Sequence, residues 1–306
     1  MNKVIILLGP TGIGKTGASI LLAKALNTDI ISADSMQIYK NMDIGTAKPS
    51  REDMSFVRHH MIDIVEPSET FSTGEYIETV VPIIEALHTQ GKIPVVVGGT
   101  GLYIKAMTRG IFSGPSADWS LREDLLSREQ REGGYLYSRL QKLDPVAASR
   151  VMPSDKRRII RALEVCLKTN TGITDLQKSL TRPLPYEFIR IGLRRDRKEL
   201  YCLIENRVDA MFTQGFVAEV NRLLETNPGR TAMQAIGYKE VISFLQGLIP
   251  LEEAVRLIKK RSRNYAKRQL TWFRQEEGIH WLDVSGLFRH EKICETIEIF
   301  LKNRLT

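Results

Sequence analysis

The stretch that decides the fold is Gly9-Pro10-Thr11-Gly12-Ile13-Gly14-Lys15-Thr16, directly after the apolar run Val4-Ile5-Ile6-Leu7-Leu8. It fits the pattern G-x-x-x-x-G-K-[ST], and Ala18, Leu21, Leu22 and Ala25 follow it at helical spacing. In this strand–loop–helix context the motif forms a phosphate-binding loop, whose backbone N–H groups and helix N-terminus face anionic oxygens. The sequence therefore predicts that residues 9–16 bind a phosphorylated ligand, with Lys15 on its terminal phosphate and the Thr16 hydroxyl on Mg²⁺.

A second strand, Ile30-Ile31-Ser32-Ala33, ends at an acid, Asp34. Open α/β sheets bind ligands at the carboxyl ends of their strands, so Asp34 is a candidate substrate-facing carboxylate. The alternative is a carboxylate that caps a helix or closes a turn. The strand at 94–97 runs into Gly98-Gly99-Thr100-Gly101 without the acid that holds the metal in motor ATPases. The chain is therefore not expected to be a motor ATPase or a helicase.

Composition indicates a globular protein of more than one average domain. The chain has 306 residues, of which 42% are hydrophobic and 26% are charged. No apolar run approaches the roughly 18 residues of a transmembrane helix, and the first apolar run is too short for a signal peptide. Three widely spaced cysteines, Cys166, Cys202 and Cys294, argue against a disulfide framework or a zinc site. We expect a cytoplasmic monomer with no membrane contact.

The net charge of +8 is concentrated in two acid-free clusters. The first comprises Arg256, Lys259, Lys260, Arg261, Arg263, Lys267, Arg268 and Arg274, on a helix expected to pack through Leu251, Val255, Ile258 and Tyr265. The second, Lys156, Arg157, Arg158 and Arg161, begins a helix for which Ser154 is the expected N-cap. A solvated helix face would explain either cluster alone. Both clusters beside a phosphate-binding core favour a polyanionic partner such as a nucleic acid.

The predicted elements give an α/β fold, a P-loop NTPase-like parallel sheet core with an inserted all-helical lobe and a helical C-terminal region. Expected strands are 3–8, 29–33, 59–64, 93–97, 188–193 and 279–284. Expected helices are 15–26, 74–90, 101–107, 121–132, 134–142, 145–151, 155–169, 198–213, 216–226, 237–246 and 251–275. The predicted division is a first part of the core at 1–112, the lobe at 113–187, and the rest of the core with basic C-terminal helices at 188–306.

An ordered set of motifs across nearly the whole chain resembles the tRNA dimethylallyltransferases, or tRNA isopentenyltransferases. Besides residues 9–16, the set comprises Ser32-Ala33-Asp34-Ser35-Met36-Gln37-Ile38-Tyr39, Met42-Asp43-Ile44-Gly45-Thr46-Ala47-Lys48-Pro49, His60-Met61-Ile62-Asp63, Gly98-Gly99-Thr100-Gly101-Leu102-Tyr103, Arg161-Ala162-Leu163-Glu164-Val165, Ile236-Gly237-Tyr238-Lys239-Glu240 and Arg268-Gln269-Leu270-Thr271-Trp272-Phe273-Arg274. The resemblance implies transfer of a dimethylallyl group from dimethylallyl diphosphate to N6 of the adenine 3′ of the anticodon in tRNA.

The resemblance also implies roles for particular residues. Asp34 would be the general base for the adenine amino group, and Thr16 and Arg207 would assist catalysis at the diphosphate. Mg²⁺ would be the cofactor, held by Thr16. The implied contacts with the tRNA anticodon stem-loop are Asp34, Ser35, Met36, Gln37, Thr100, Arg122, Arg157, Arg158, Ile159, Ile160, Arg161, Gly237, Tyr238 and Lys239.

Three other functions remain open from the residues. A P-loop kinase acting on a small molecule or nucleotide would use Lys15 and Mg²⁺ on ATP, but it would leave both basic clusters without a purpose. A regulatory RNA-binding NTPase would hydrolyse its nucleotide rather than transfer an alkyl group. A relative that prenylates free adenylate would not need the helical lobe.

Overall fold

The computed structural model describes residues 2–112 and 114–305, so the predicted start of the lobe at Ser113 lies outside the described residues. Within this range six strands form one parallel sheet, in the order β3-β2-β4-β1-β5-β6. They are β1 (Lys3–Leu8), β2 (Ile30–Ala33), β3 (His59–His60), β4 (Val95–Gly98), β5 (Glu187–Arg194) and β6 (Ile279–Asp283). The predicted α/β fold with a parallel sheet core is confirmed.

The helices follow the strands in the alternating pattern of a parallel sheet. They are α1 (Lys15–Ala25), α2 (Arg51–Phe56), α3 (Thr73–Thr89), α4 (Gly101–Arg109), α5 (Trp119–Arg131), α6 (Tyr135–Leu143), α7 (Pro145–Ser149), α8 (Lys156–Thr169), α9 (Ile173–Leu180), α10 (Arg197–Thr213), α11 (Phe216–Leu224), α12 (Tyr238–Leu245), α13 (Leu251–Arg274) and α14 (His290–Leu305), with a 3₁₀ turn at Ala232–Gln234. Strands β1, β2 and β4 are almost wholly buried, which explains their continuous apolar sequences.

The chain forms two compact units. The first unit consists of Met1–Ile104 and Pro185–Thr306 and contains the sheet, and the second unit is Lys105–Leu184. The core of the first unit includes Ile5, Leu7, Val95 and Ile191 from the strands. The second unit has its own core, which includes Leu125, Leu140, Ile159 and Leu163. The predicted boundaries at 113 and 187 stay a prediction for the functional division of the chain.

Several predicted elements differ from those observed. Strand β3 stops at His60 instead of continuing to residue 64, because Met61 and Asp63 adopt left-handed backbone conformations with φ of 64° and 55°. Helices α2, α9 and α14 were not predicted. Helix α8 is capped by Asp155, whose side chain accepts a hydrogen bond from the Arg158 amide, and the expected cap Ser154 was wrong.

Helix α13 packs through the predicted face, on which Ile258 is buried and Val255 packs against the core. Its buried positions are Ala254, Ile258, Ser262, Ala266, Gln269 and Phe273, at helical spacing. Four of its basic side chains form ion pairs with acids, in the pairs Arg256–Glu253, Lys259–Asp209, Arg261–Glu240 and Arg263–Glu205. This basic cluster is therefore partly neutralised within the first unit.

Among the helices of the described residues, none combines the length and the apolar character that crossing a membrane would require.

Asp144 provides a test of what stabilises the second unit. Its buried carboxylate accepts hydrogen bonds from the Ala147 amide (2.8 Å) and from the amide and hydroxyl of Thr174 (2.9 and 3.0 Å). Asp144→Ala leaves these donors unpaired, so we expect a loss of about 1–3 kcal/mol of unfolding free energy in urea denaturation at pH 7. Asp175→Ala, at an exposed acid in the first turn of α9, is the control and should change stability by less than about 0.5 kcal/mol.

The effect of Asp144 should depend on pH. Burial opposes its charged form, but the hydrogen bonds from Thr174 and Ala147 outweigh burial and lower the pKa of the carboxyl. Its contribution to stability is therefore complete above the unfolded pKa of about 3.9 and is lost as the pH falls through the folded pKa. A stability difference between wild type and Asp144→Ala that stayed constant into this acidic range would contradict the assignment.

Candidate active site

Residues 9–16, the loop between β1 and α1 with the start of α1, are the candidate anion cradle. Gly12 and Gly14 have φ of 79° and 102°, conformations that other residues rarely adopt and that are typical of loops whose amides bind anions. The Lys15 ammonium lies across the loop and donates to the carbonyl oxygens of Gly9 (2.9 Å) and Pro10 (2.8 Å). Phosphate binding by residues 9–16 stays a prediction, which this loop conformation supports.

A cavity of about 380 Å³ opens above this cradle. Its lining residues include the loop from Thr11 to Thr16, Asp34, Gly99, Arg207, Gln269 and His290. Burial lowers the pKa of Lys15 to about 7, Asp34 opposes that effect, and the positive charge of Arg207 adds to it. A cation in this environment is stabilised when an anion binds beside it.

Arg207 of α10 reaches the cradle from the other side of the loop. Its guanidinium donates to the Thr11 hydroxyl at 2.8 Å. Burial lowers the pKa of Arg207, and the charge of Asp34 opposes the shift. Its Nε is buried and has no hydrogen-bond partner among the described residues.

Asp34 follows β2 and borders a second cavity of about 270 Å³. The Asp34 carboxylate accepts a hydrogen bond from the Met36 amide at 2.9 Å, which is the turn geometry considered as the alternative. The second cavity is lined by both apolar and polar side chains. The lining includes Met36, Met211, Ala235, Ile236, Ile258, Tyr265 and Arg268. Both cavities share Thr11, Asp34, Thr46 and Arg207.

The segment after Asp34 is held by side-chain hydrogen bonds. The Ser35 amide donates to the Thr100 hydroxyl at 3.0 Å, so two of the predicted tRNA contacts are bonded to each other. Gln37 donates to the carbonyl oxygens of Thr46 (3.3 Å) and Ala47 (3.2 Å), which turns its amide toward the protein. Of these residues, Ser35 and Thr46 line the second cavity.

The predicted tRNA contacts on α5 and α8 differ in their availability. Arg122 and Arg161 both donate to Glu164, a fully buried carboxylate, and Arg161 also donates to the Pro115 carbonyl. Burial disfavours the charged Glu164, but these arginines and the Asp118 amide outweigh it and lower the pKa of Glu164. Arg157 and Arg158 are exposed, and Arg158 is paired with Asp155. Arg157 and Arg158 are therefore the arginines among these predicted contacts that an external anion can reach.

Three predicted tRNA contacts have buried side chains. Ile159 and Ile160 pack in the core of the second unit, and Tyr238 is buried in the first. Gly237 is also buried, whereas Lys239 is exposed. The proposed role of the buried residues is therefore to shape the segments that carry the exposed Arg157, Arg158 and Lys239.

Two residues that build the site were missed from the sequence. Glu219 is buried, and its carboxylate accepts hydrogen bonds from the amides of Asp43 (2.9 Å), Ile44 (2.7 Å) and Gly45 (3.0 Å) and from the Tyr238 hydroxyl (2.7 Å). The Lys48 side chain is only 3% exposed and donates to the Tyr39 carbonyl and to two aspartates, Asp43 and Asp63. Together they hold the segment 42–48 that carries Thr46 into both cavities. The one signal in the sequence for the burial of Glu219 is its position on the apolar face of α11, together with Phe216, Val220 and Leu223.

In the described part of the chain, no group of three or more histidine, cysteine or acidic side chains is arranged to hold a metal ion.

Comparison with known proteins gives a consistent result. A family model described as IPP transferase matches residues 37–276. The tRNA dimethylallyltransferase of Thermodesulfovibrio yellowstonii is 55% identical over 303 residues, covering 97% of this chain and 96% of that protein. The tRNA dimethylallyltransferase of Alkaliphilus oremlandii is 45% identical over 301 residues, with 97% and 96% covered.

Solved structures give the same result. The full-length tRNA isopentenylpyrophosphate transferase of Bacillus halodurans is similar with a TM-score of 0.74 and 40% identity, covering 100% of this chain and 97% of that one. A eukaryotic dimethylallyltransferase acting on tRNA has a TM-score of 0.82 and 30% identity, covering 100% of this chain and 79% of that one.

The pKa of Lys15 leads to a prediction about ligand binding. With a pKa of about 7, Lys15 is mostly neutral at pH 8 in the empty cradle, and a bound diphosphate should recharge it. If the cradle binds a diphosphate such as dimethylallyl diphosphate, whose own ionisation is essentially complete at that pH, binding should therefore take up a proton. Calorimetric titration in two buffers of different ionisation enthalpy measures this uptake.

The matched control is Lys15→Met, which keeps the length of the side chain without a titratable group. The proton uptake should disappear in this variant, and affinity should fall. Equal binding enthalpies in the two buffers for the wild-type protein would contradict the assignment of Lys15.

Proposed function

The chain belongs to the IPP transferase family, and from this membership we propose that it transfers a dimethylallyl group from dimethylallyl diphosphate to N6 of the adenine 3′ of the anticodon in tRNA. The observation that carries the proposal is the position of Asp34. Its carboxylate borders both the charged cavity over the cradle and the more apolar cavity beside it. This is where a base must lie if diphosphate and adenine meet at one carbon.

The cradle is suited to the leaving group. As the allylic C–O bond breaks, negative charge develops on the bridging oxygen of the diphosphate. Lys15, Arg207 and the loop from Thr11 to Thr16 line the charged cavity, and their N–H groups are the donors proposed to meet this charge. Donors fixed before the reaction stabilise such charge without reorganisation, and they are often the largest contribution to catalysis.

Asp34 accounts for the nucleophile. The lone pair of an adenine amino group is delocalised into the ring, so N6 needs a base that accepts its proton as the new C–N bond forms. In the proposed reaction N6 attacks the C1 carbon of the dimethylallyl group, diphosphate departs, and the N6 proton moves to the Asp34 carboxylate. The apolar lining from Met36, Met211 and Ile258 suits the five-carbon group and the flipped base.

The residues present fit Mg²⁺ bound largely through the substrate. Mg²⁺ keeps several waters and commonly takes few protein ligands beside substrate phosphates, which agrees with the lack of a cluster of acids in the described residues. The exposed Thr16 hydroxyl at the start of α1 would be its protein ligand. When bound, the ion would neutralise part of the diphosphate charge.

The exposed arginines of α8 and the exposed Lys239 are proposed to contact tRNA phosphates. Arg122 and Arg161 would support the exposed arginines of α8 through Glu164. A cytoplasmic location and a monomeric state stay predictions.

The experiment that tests the proposed reaction is mass analysis of tRNA nucleosides. We expect incubation with dimethylallyl diphosphate to add C₅H₈ to one adenosine of tRNAs and to release diphosphate. The kinase interpretation predicts a phosphorylated product formed from ATP instead. Unmodified adenosine in the presence of folded, tRNA-bound protein would exclude the transferase.

Asp34→Asn separates the chemical step from binding. The amide can still accept the hydrogen bond from the Met36 amide but cannot accept a proton. We expect single-turnover transfer to fall by about 10²–10⁴-fold, with tRNA affinity within a few-fold of wild type. Retention of more than about a tenth of the wild-type rate would remove Asp34 as the base.

Arg157→Ala with Arg158→Ala tests the tRNA surface. Arg161 is left intact because its loss would leave the buried Glu164 short of a partner. If both arginines contact phosphates, binding should weaken broadly across tRNAs, and the slope of log K against log salt should flatten by about 0.7–0.9 per lost contact.

The control is Arg139→Ala, at an exposed arginine on α6. It should leave the slope unchanged, and affinity for dimethylallyl diphosphate should be unaffected in all these arginine variants. A wild-type slope in the double variant would indicate a merely solvated helix face.

A further inference from the structure

Gln269 is a buried amide whose two ends are bonded to two different loops. Its Oε1 accepts the Thr11 amide at 2.9 Å, and its Nε2 donates to the Gly99 carbonyl at 2.9 Å. The residue is only 6% exposed. Position 99 requires glycine for this approach, because a Cβ there would lie 2.2 Å from the Gln269 nitrogen. The side chain therefore fits between the loops with both of its polar ends satisfied.

The two loops belong to neighbouring strands whose ladder has already ended. The pairing of β1 with β4 finishes at Leu8 and Gly98. Thr11 and Gly99 lie beyond that pair, where the loops diverge around the cavities. Beyond the end of the ladder, the Gln269 side-chain amide connects the two loops, as backbone hydrogen bonds connect the two strands within the sheet.

Each end of this link leads to a group of the proposed reaction. On one side, the Thr11 hydroxyl accepts the hydrogen bond from Arg207. On the other side, Gly99 precedes Thr100, whose hydroxyl accepts the amide of Ser35, the residue after Asp34. The Tyr265 side chain lies beside those of Gln269 and Thr100 on this second side.

We propose that Gln269 is a positioning residue that sets the distance between the diphosphate cradle and the base Asp34. The inference rests on the proposed function, because it assigns the two loops to the two reactants. Transfer requires N6, the C1 carbon and the departing oxygen to be aligned, and a displacement of about 1 Å can cost about 10²-fold in rate. Gln269 borders the charged cavity, but both of its polar ends are bonded to the loops, so its proposed action is through Thr11 and Gly99.

Gln269→Met is the first test, because methionine has a similar volume and no hydrogen bonds to offer. We expect kcat for transfer to fall by about 10–100-fold, while KM for tRNA stays within about twofold. Gln246→Met makes the same change at an exposed position after α12 and should leave kcat at the wild-type value. Wild-type transfer measured in the same assay reports on the proposed function itself, so its failure is distinct from that of the link.

A double-mutant cycle with Thr11→Val separates positioning from stability. Thr11→Val keeps the amide that Gln269 holds but removes the hydroxyl that binds Arg207. If Gln269 acts through Thr11, Gln269→Met should cost less in the Thr11→Val background than in wild type. If the two substitutions act independently, their fold-losses in rate should multiply. Each rate is first divided by the fraction of that variant that binds tRNA.

Tyr265→Phe covers the case in which Gln269→Met does not fold. It removes a single hydroxyl and should lower kcat by about two- to tenfold with tRNA affinity unchanged. The proposal would be overturned by an unchanged kcat in Gln269→Met or by fully multiplicative effects in the cycle. If Tyr265→Phe is the variant measured, an unchanged kcat in that variant would overturn it.

Discussion

Parallel pairing of β1, β2 and β4 is the constraint on which the site depends. Leu8 pairs with Gly98, and Ala33 pairs with Gly98 from the other side, so three strands end at one level. The cradle, Asp34 and the Gly99–Thr100 turn each follow one of these ends. Their side chains come from distant parts of the sequence, yet the sheet places them around common cavities at the carboxyl ends of its strands.

The charges of the site are arranged so that an anion completes them. Lys15 and Arg207 are cations whose pKa values are lowered by burial, and Asp34 is the acid that opposes both shifts. A diphosphate entering the cradle would stabilise the two cations and leave Asp34 to face the second cavity.

The sequence predicted the features that depend on local pattern. The buried strands, the cradle and Asp34 were identified because each has a short-range signature of apolar runs and glycines. The hydrogen bonds from the amides of residues 43–45 to Glu219 could not be predicted, because they join a helix to a loop far away in the chain. The same limit applies to the charge of α13, where Asp209 and Glu240 pair with Lys259 and Arg261. Helix α14 had a usable signal, since Ile293, Ile297 and Leu301 recur at helical spacing and are buried.

Asp34 is proposed to stand between a diphosphate site and a base site. A crystal structure with a non-cleavable thio analogue of dimethylallyl diphosphate and an anticodon stem-loop RNA would test this placement directly. We expect the diphosphate on the cradle beside Lys15, and adenine N6 within hydrogen-bonding distance of the Asp34 carboxylate. A flipped adenine bound away from Asp34, or a diphosphate bound outside the cradle, would contradict it.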